Sequence, residues 1–238
     1  MANLNEKDMI YEGKAKKLYR TEHPSEYIIA YKDTATAFNG EKKEDIEGKG
    51  VLNCAITNAV FEMLENSGIP THMIHPIDET TILVKKVEIV PLEVIVRNVA
   101  AGSFSARFGV PEGTALKNPT TEFSYKKDEL GDPMINTSQL LALGLAAPEE
   151  VETIRAMALK INELLIGFFA KVNLKLIDFK LEFGRLENGQ IVLADEISPD
   201  TCRLWDMDTG EKLDKDRFRR DMGQVIEAYQ EVFRRISG

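Results

Sequence analysis

The order of patterns along the chain predicts an α+β fold in two lobes, with strand-like runs first and mixed elements after them. Two segments anchor that reading. From Pro148 to Val172, apolar residues recur at helical spacing (Ile154, Met157, Ala158, Ile161, Leu164, Leu165, Phe168) behind an acidic first turn of Glu149, Glu150 and Glu152. From Leu174 to Leu186 the pattern becomes alternation, with Ile177, Phe179, Leu181 and Phe183 on one face and Asp178, Lys180 and Glu182 on the other. Asn188-Gly189 then supplies the preferred pair for a two-residue hairpin turn.

The other elements follow in chain order. Met9 to Tyr19 reads as strand, glycine turn and strand, and Tyr27 to Lys32 as a third strand. Asp33 to Lys43 is a polar loop that fits a plain connector, a flap or a substrate loop. Gly50 to Asn66 carries a helical stripe of Val51, Ala55, Ala59 and Met63 and stops at Ser67-Gly68-Ile69-Pro70. Thr81 to Val87 and Leu92 to Arg97 are strands separated by Val90-Pro91, a break that divides the chain into lobes of residues 1–90 and 91–238. Gly102 to Gly109 is a short helix closed by glycine. Pro111 to Pro133 is loop with one strand around Phe123. Asp214 to Ile236 closes the chain as one helix, with Phe218, Met222, Val225, Ile226, Tyr229 and Phe233 on its apolar face.

Composition narrows the function. A net charge of −9 argues against a general nucleic-acid binder, and no apolar run reaches the length of a membrane span. The first residues lack an apolar signal region, and two cysteines suit a reducing compartment, so a cytoplasmic location is expected. Cys54 and Cys202 read as buried small residues. His23, His72 and His75 are too scattered for a zinc site.

Three constellations carry chemistry. If Asn188 and Gly189 are the whole turn, Glu187 faces Gln190 and Glu182 faces Asp195. Like charges directly opposite destabilise a sheet, so either a cation such as Mg²⁺ sits between them or the face is simply wet. Around Gly13, Lys14 and Lys16 share one face of an extended run, fitting a phosphate cradle or a charged hairpin tip. Arg97 and Ser103 flank the small residues Ala100-Ala101-Gly102 at a helix start, fitting an anion site or an ordinary serine cap beside a surface arginine. Arg203 and Arg219 add basic charge further on.

Six stretches in order resemble the SAICAR synthetase family of purine biosynthesis: Tyr11 to Tyr19, Thr36 to Gly40, Pro91 to Phe104, Leu176 to Gly184, Ala194 to Asp206 and Asp214 to Asp221. The resemblance implies an enzyme, an ATP- and Mg²⁺-dependent carbon–nitrogen ligase joining the carboxylate of CAIR to the amine of L-aspartate. It implies a kinase-like first lobe covering nucleotide, an ATP-grasp-like remainder holding substrate and metal, and a homodimer. By motif, Gly13, Lys14 and Lys16 would meet ATP phosphates, and Lys86 to Pro91 would read adenine through backbone. Glu182 and Asp195 would hold Mg²⁺. Arg97, Ser103, Asp178, Lys180, Arg203, Lys215 and Arg219 would surround CAIR, with Lys14, Asp178 and Lys180 nearest the chemistry. Asn39 stands where other family members carry an acid. Two other functions share parts of this set: a small-molecule kinase, which would make no amide, and a non-catalytic nucleotide-binding module, which would not need the acid pair.

Overall fold

The computed structural model describes residues 4–37 and 40–238, so Phe38 and Asn39 lie outside the described residues. Most of the chain is organised by two antiparallel sheets. The first contains β1 (Met9–Glu12), β2 (Lys16–Arg20), β3 (Glu26–Tyr31), β6 (Met73–Pro76) and β7 (Thr81–Lys85), in the order β1-β2-β3-β7-β6. The polar loop after β3 is a small hairpin of β4 (Thr34–Ala37) and β5 (Lys42–Asp45).

The second sheet is built around β12 (Leu174–Arg185). Its path runs β11 (Met134–Ile135), β10 (Ala115–Tyr125), β9 (Leu92–Val99), β12 and β13 (Ile191–Ala194), and β8 (Glu88–Ile89) and β14 (Cys202–Asp206) also pair with β12. β12 changes partners midway. Residues Asp178 to Leu181 pair with β9 and Leu174 to Phe179 with β14, whereas Glu182 to Arg185 pair with β13 and Gly184-Arg185 with β8. Lys180 and Glu182 sit at that exchange, where the neighbouring strands part.

The short helix α3 (Thr137–Ala142) precedes α4 (Pro148–Ala170), which buries Ile154, Ala158, Ile161 and Leu165 in the same core as Val94, Val96 and Leu181 of the second sheet. Each such side chain contributes about 1.5–3 kcal/mol when removed from water. α1 (Lys49–Asn66) is buried on two sides: Cys54 meets Ile29, Tyr31, Ile82 and Val84 of the first sheet, while Ile56, Val60, Phe61 and Leu64 enter the main core. That double contact explains why the fully buried side is not the expected stripe of Val51, Ala55, Ala59 and Met63, which is half-buried. Both cysteines are free and buried, as expected. No helix among the described residues is long and apolar enough to cross a membrane.

Three expectations are corrected. The hairpin turn has three residues rather than two: Leu186 N–H donates to the Gln190 carbonyl at 2.9 Å, and Gly189, at φ +81°, closes the loop on the Leu186 carbonyl. Glu182 therefore stands opposite Ala194, one residue from the expected Asp195. The closing helix is broken into α5 (Asp216–Arg219) and α6 (Val225–Ser237), with Asp221, Gly223 and Gln224 all at positive φ. Arg217 holds the break, donating from Nε to the Gly223 carbonyl at 2.8 Å and from Nη2 to Gln224 Oε1 at 3.1 Å. The segment after Pro111 is largely strand: β10 is eleven residues long, and its ladder with β9 shifts between Ala115 and Thr120, the stretch containing Pro119, which has no N–H to offer.

Candidate active site

A cleft of about 830 Å³ lies between the first sheet and the β12–β13 region. The turn between β1 and β2 forms one wall. Gly13 N–H donates to the Lys16 carbonyl at 2.8 Å, so this glycine closes the turn that presents the two lysines. Lys14 reaches across to Asp128, Nζ to Oδ1 2.9 Å, in the segment after β10. Lys16 is drawn inward to Asp195 Oδ1 and, at 2.9 Å, to Glu196 Oε1. The Ser198 hydroxyl fixes Glu196 from behind, donating to Oε2 at 2.7 Å.

The two expected acids do not stand opposite each other, but both face Lys180. Asp195 follows the end of β13 in the left-handed region at φ +61°, a conformation aspartate tolerates better than most residues. Lys180 Nζ lies 2.8 Å from Glu182 Oε1 and 3.8 Å from Asp195 Oδ2, and 3.0 Å from Glu93 Oε1. Lys126 also meets Glu182 Oε1, at 2.9 Å. The cleft floor is thus a lattice of lysines and carboxylates. Burial alone would raise the Asp195 carboxyl, but the charges of Lys16 and Lys180 outweigh it and hold it below its ordinary value. Burial would lower Lys180, and Glu182, Asp195 and Glu93 reverse that and raise it well above its ordinary value.

A second charged cluster, of arginines and carboxylates, adjoins the first. Arg97 from β9 donates from Nη1 to Asp178 Oδ2 at 2.6 Å, from Nε to Glu122 Oε2 at 3.1 Å and from Nη2 to Ser103 Oγ at 3.2 Å. Arg203 from β14 donates from Nη1 to both Asp178 oxygens at 3.0 and 2.9 Å and from Nε to Asp216 at 3.0 Å. Arg219 joins through Asp216 Oδ1 at 2.8 Å. Asp178 is buried between two guanidinium groups, an arrangement suited to orienting them. Gly102, which opens α2 (Gly102–Phe108), lies under Arg203: a Cβ there would be 2.4 Å from Nη2.

Lys215 lines the same end, 3.9 Å from Asp200 Oδ2. Asp200 is also ion-paired with the fully buried Lys49 at 2.7 Å and accepts from the Tyr229 hydroxyl at 2.6 Å. Burial lowers the Lys215 amine, with Asp200 opposing the shift.

Among the sequence-derived candidates, Gly13, Lys14, Lys16, Arg97, Asp178, Lys180, Glu182, Asp195, Arg203, Lys215 and Arg219 all line this one cleft, and Ser103 touches it through Arg97. Lys86 does not: its Nζ lies over the Tyr27 ring, 5.9 Å from the centroid, and its N–H is taken by the Ser25 carbonyl, while Lys85, Val87 and Ile89 face the cleft. Sequence reasoning gave no role to Glu93 and Asp200, although both lie inside matched stretches, and missed Lys126 and Asp128, which sit in a polar segment with no motif of its own. Glu196 and His72 were seen but given no place in the site. No group of three or more His, Cys, Asp or Glu residues able to hold a metal occurs among the described residues. The acids offer two hard-oxygen ligands rather than a cage, and both lysine contacts to Glu182 fall on Oε1. Such a donor set fits an ion that also takes phosphate oxygens.

Fold and site together define a mixed α/β protein whose cleft is equipped for phosphorylated small molecules, one basic pocket beside an acid–lysine lattice and another beside an arginine fork. The chain belongs to the SAICAR synthetase family, whose model matches residues 9–236. It is 61% identical over 231 residues to a phosphoribosylaminoimidazole-succinocarboxamide synthase from Finegoldia magna, covering 97% of this chain and 100% of the relative. The crystal structure of that synthase from Ehrlichia chaffeensis matches with a TM-score of 0.95 at 48% identity, over 96% of this chain and 98% of the other. A SAICAR synthetase in complex with ADP matches with a TM-score of 0.93 at 50% identity, over 96% of this chain and 97% of that one.

Proposed function

We propose that the protein is an ATP-dependent ligase that joins the carboxylate of CAIR to the amine of L-aspartate, giving SAICAR, ADP and phosphate in purine biosynthesis. The observation that carries this reading is the presence, in one cleft of a chain of this family, of a lysine turn and an arginine fork on either side of Lys180. The lysine turn suits a nucleoside triphosphate and the fork suits a sugar phosphate.

A carboxylate is a poor acyl donor because oxide is a bad leaving group. Transfer of a phosphoryl group to it makes phosphate the leaving group, and an amine can then displace it. Lys14 and Lys16 bind and neutralise the nucleotide's phosphates, and Lys180 holds charge at the junction of the two pockets. Arg97, Arg203, Arg219 and Ser103 grip the phosphate of CAIR, with Lys215 beside them. Asp178 and Asp216 hold the arginines in position. Glu182 and Asp195 would hold Mg²⁺, which would supply positive charge against the phosphates. We assign residues 1–90 as the kinase-like lobe covering the nucleotide, with the Lys86 to Pro91 linker beside the base and its Val87 and Ile89 facing the cleft. Residues 91–238 form the ATP-grasp-like lobe. A homodimer working in the cytoplasm completes the reading.

The test is phosphate release with Mg-ATP, omitting CAIR and L-aspartate in turn, with the organic product weighed. Release that needs both, with the succinocarboxamide mass, supports the ligase. Phosphoryl transfer to a single acceptor with no amide product refutes it in favour of a kinase.

A further inference from the structure

Asp200, in the loop between β13 and β14, meets side chains from three other parts of the chain. Its Oδ1 accepts from the hydroxyl of Tyr229 on α6 at 2.6 Å. Its Oδ2 faces two lysines: Lys49, the first residue of α1, at 2.7 Å, and Lys215, just before α5, at 3.9 Å. The two lysines differ in what else they can reach. Lys49 is fully buried, and Asp200 is its one ion pair among the described residues. Lys215 lines the cleft with its side chain 13% exposed, and no closer ion pair holds it among the described residues. Its backbone is fixed beside the same loop, its N–H donating to the Pro199 carbonyl at 3.1 Å. Rotation of the side chain would close the 3.9 Å gap, and a carboxylate oxygen has a second lone pair to offer. The gap stays open because Lys49 and Tyr229 already satisfy Asp200. A buried carboxylate stripped of one cation takes the next one within reach.

The electrostatics agree with that geometry. Burial would raise the Asp200 carboxyl, but the charges of Lys215 and Lys49 outweigh it and hold it below its ordinary value. Burial lowers the Lys215 amine; Asp200 and Glu196 oppose the shift, and Arg219 and Lys49 add to it.

Building on the substrate reading above, in which Lys215 stands beside the phosphate of CAIR, we propose that Lys49 is a positioning residue of the reaction: by neutralising Asp200 from the buried side, it leaves the Lys215 amine free for an anion in the cleft. Lys49 touches no substrate. Loss of its charge would turn Lys215 onto Asp200, and the cleft would lose a cation although Lys215 itself is intact.

The test is trace acetylation of the whole protein with acetic anhydride over a range of pH, read at Lys215 by mass spectrometry, beside steady-state kinetics with CAIR. In the wild type Lys215 should titrate below its ordinary 10.5 and be protected by CAIR. Lys49→Met should slow its labelling at pH 8 by about tenfold and raise KM for CAIR by about tenfold, with kcat within about threefold. Lys49→Met/Asp200→Asn removes the trap as well and should return both readouts to within about threefold of the wild type. A merely structural Lys49 would lower stability and leave the labelling of Lys215 unchanged. Tyr229→Phe, which keeps both charges, should shift both readouts the same way by about two- to threefold, and serves where Lys49→Met does not fold. A wild-type Lys215 titrating above 10.5 would overturn the proposal, as would labelling and KM unchanged in the folded single variants, or a double variant no better than Lys49→Met. A wild-type Lys215 that labels freely but gains no protection from CAIR would instead overturn the substrate reading on which the proposal rests.

Discussion

Replacing Gly102 with alanine tests the arginine fork through a residue that carries no functional group. Gly102 sits at φ +52°, where an L side chain costs about 1–2 kcal/mol. Its new Cβ would also lie 2.4 Å from Nη2 and 2.9 Å from Cζ of Arg203, so the guanidinium must move. Arg203 is tied to Asp178 and Asp216, both buried. Losing one charge-assisted bond to such a carboxylate costs about 1.5–3 kcal/mol, which brings the total to about 2.5–5 kcal/mol. Gly109 supplies the control: it has φ +64° and nothing within 4 Å of its would-be Cβ, so Gly109→Ala should show the backbone cost alone. Urea denaturation of both variants and steady-state kinetics with CAIR measure the difference. Gly102→Ala should be the less stable by at least ~1.5 kcal/mol and should raise KM for CAIR by at least about tenfold, while Gly109→Ala leaves KM unchanged. Equal stability losses with unchanged KM in both would refute the reasoning.

Three other perturbations have defined outcomes. Lys16→Met removes the cation between Asp195 and Glu196 and should lower kcat by roughly 10²–10³-fold in the phosphate-release assay, as loss of a charge-stabilising donor does. Arg217→Ala strips the break between α5 and α6 of its bonds to the Gly223 carbonyl and Gln224, and should cost about 1–3 kcal/mol by urea denaturation with KM for ATP unchanged. Asp214 is pushed up to about 7 from an ordinary 3.8, first by burial and then by Asp216. Between those values the folded chain keeps a proton that the unfolded chain releases, so this group's contribution falls as pH rises through the window. Asp214→Asn should flatten that part of the stability–pH curve, read from unfolding midpoints at about pH 4, 5.5 and 7.

How far the sequence reaches is clearest in the β12–β13 hairpin. Alternation in β12 identified the strand and its polar face, because a two-residue period is written directly into side-chain order. The register was misjudged by one, because Asn188-Gly189 fits both a two-residue turn and the end of a three-residue one, and only the paired backbone distinguishes them. Asp195 still reaches Lys180 because its backbone turns left-handed after β13, which no periodicity encodes. The break before α6 was legible in principle at Gly223, but the apolar spacing of Phe218, Met222 and Val225 runs through it unbroken. Met222 is exposed. The site residues found by motif converge well. Those missed, Lys126 and Asp128 above all, lie in a polar connecting segment whose chemistry comes only from being folded over the cleft.

The pre-paired lysines of the cleft have a kinetic consequence. Lys14, Lys16 and Lys180 already face carboxylates, and the chain as a whole carries a net charge of −9. An approaching polyphosphate therefore meets little attractive field at long range, and its arrival should be neither steered nor strongly slowed by added salt. On the proposed nucleotide reading, capture would be an exchange of anions at close range, phosphate replacing Asp128 at Lys14. That exposed contact opens with ordinary side-chain rotation, so diffusion still sets the pace of nucleotide entry.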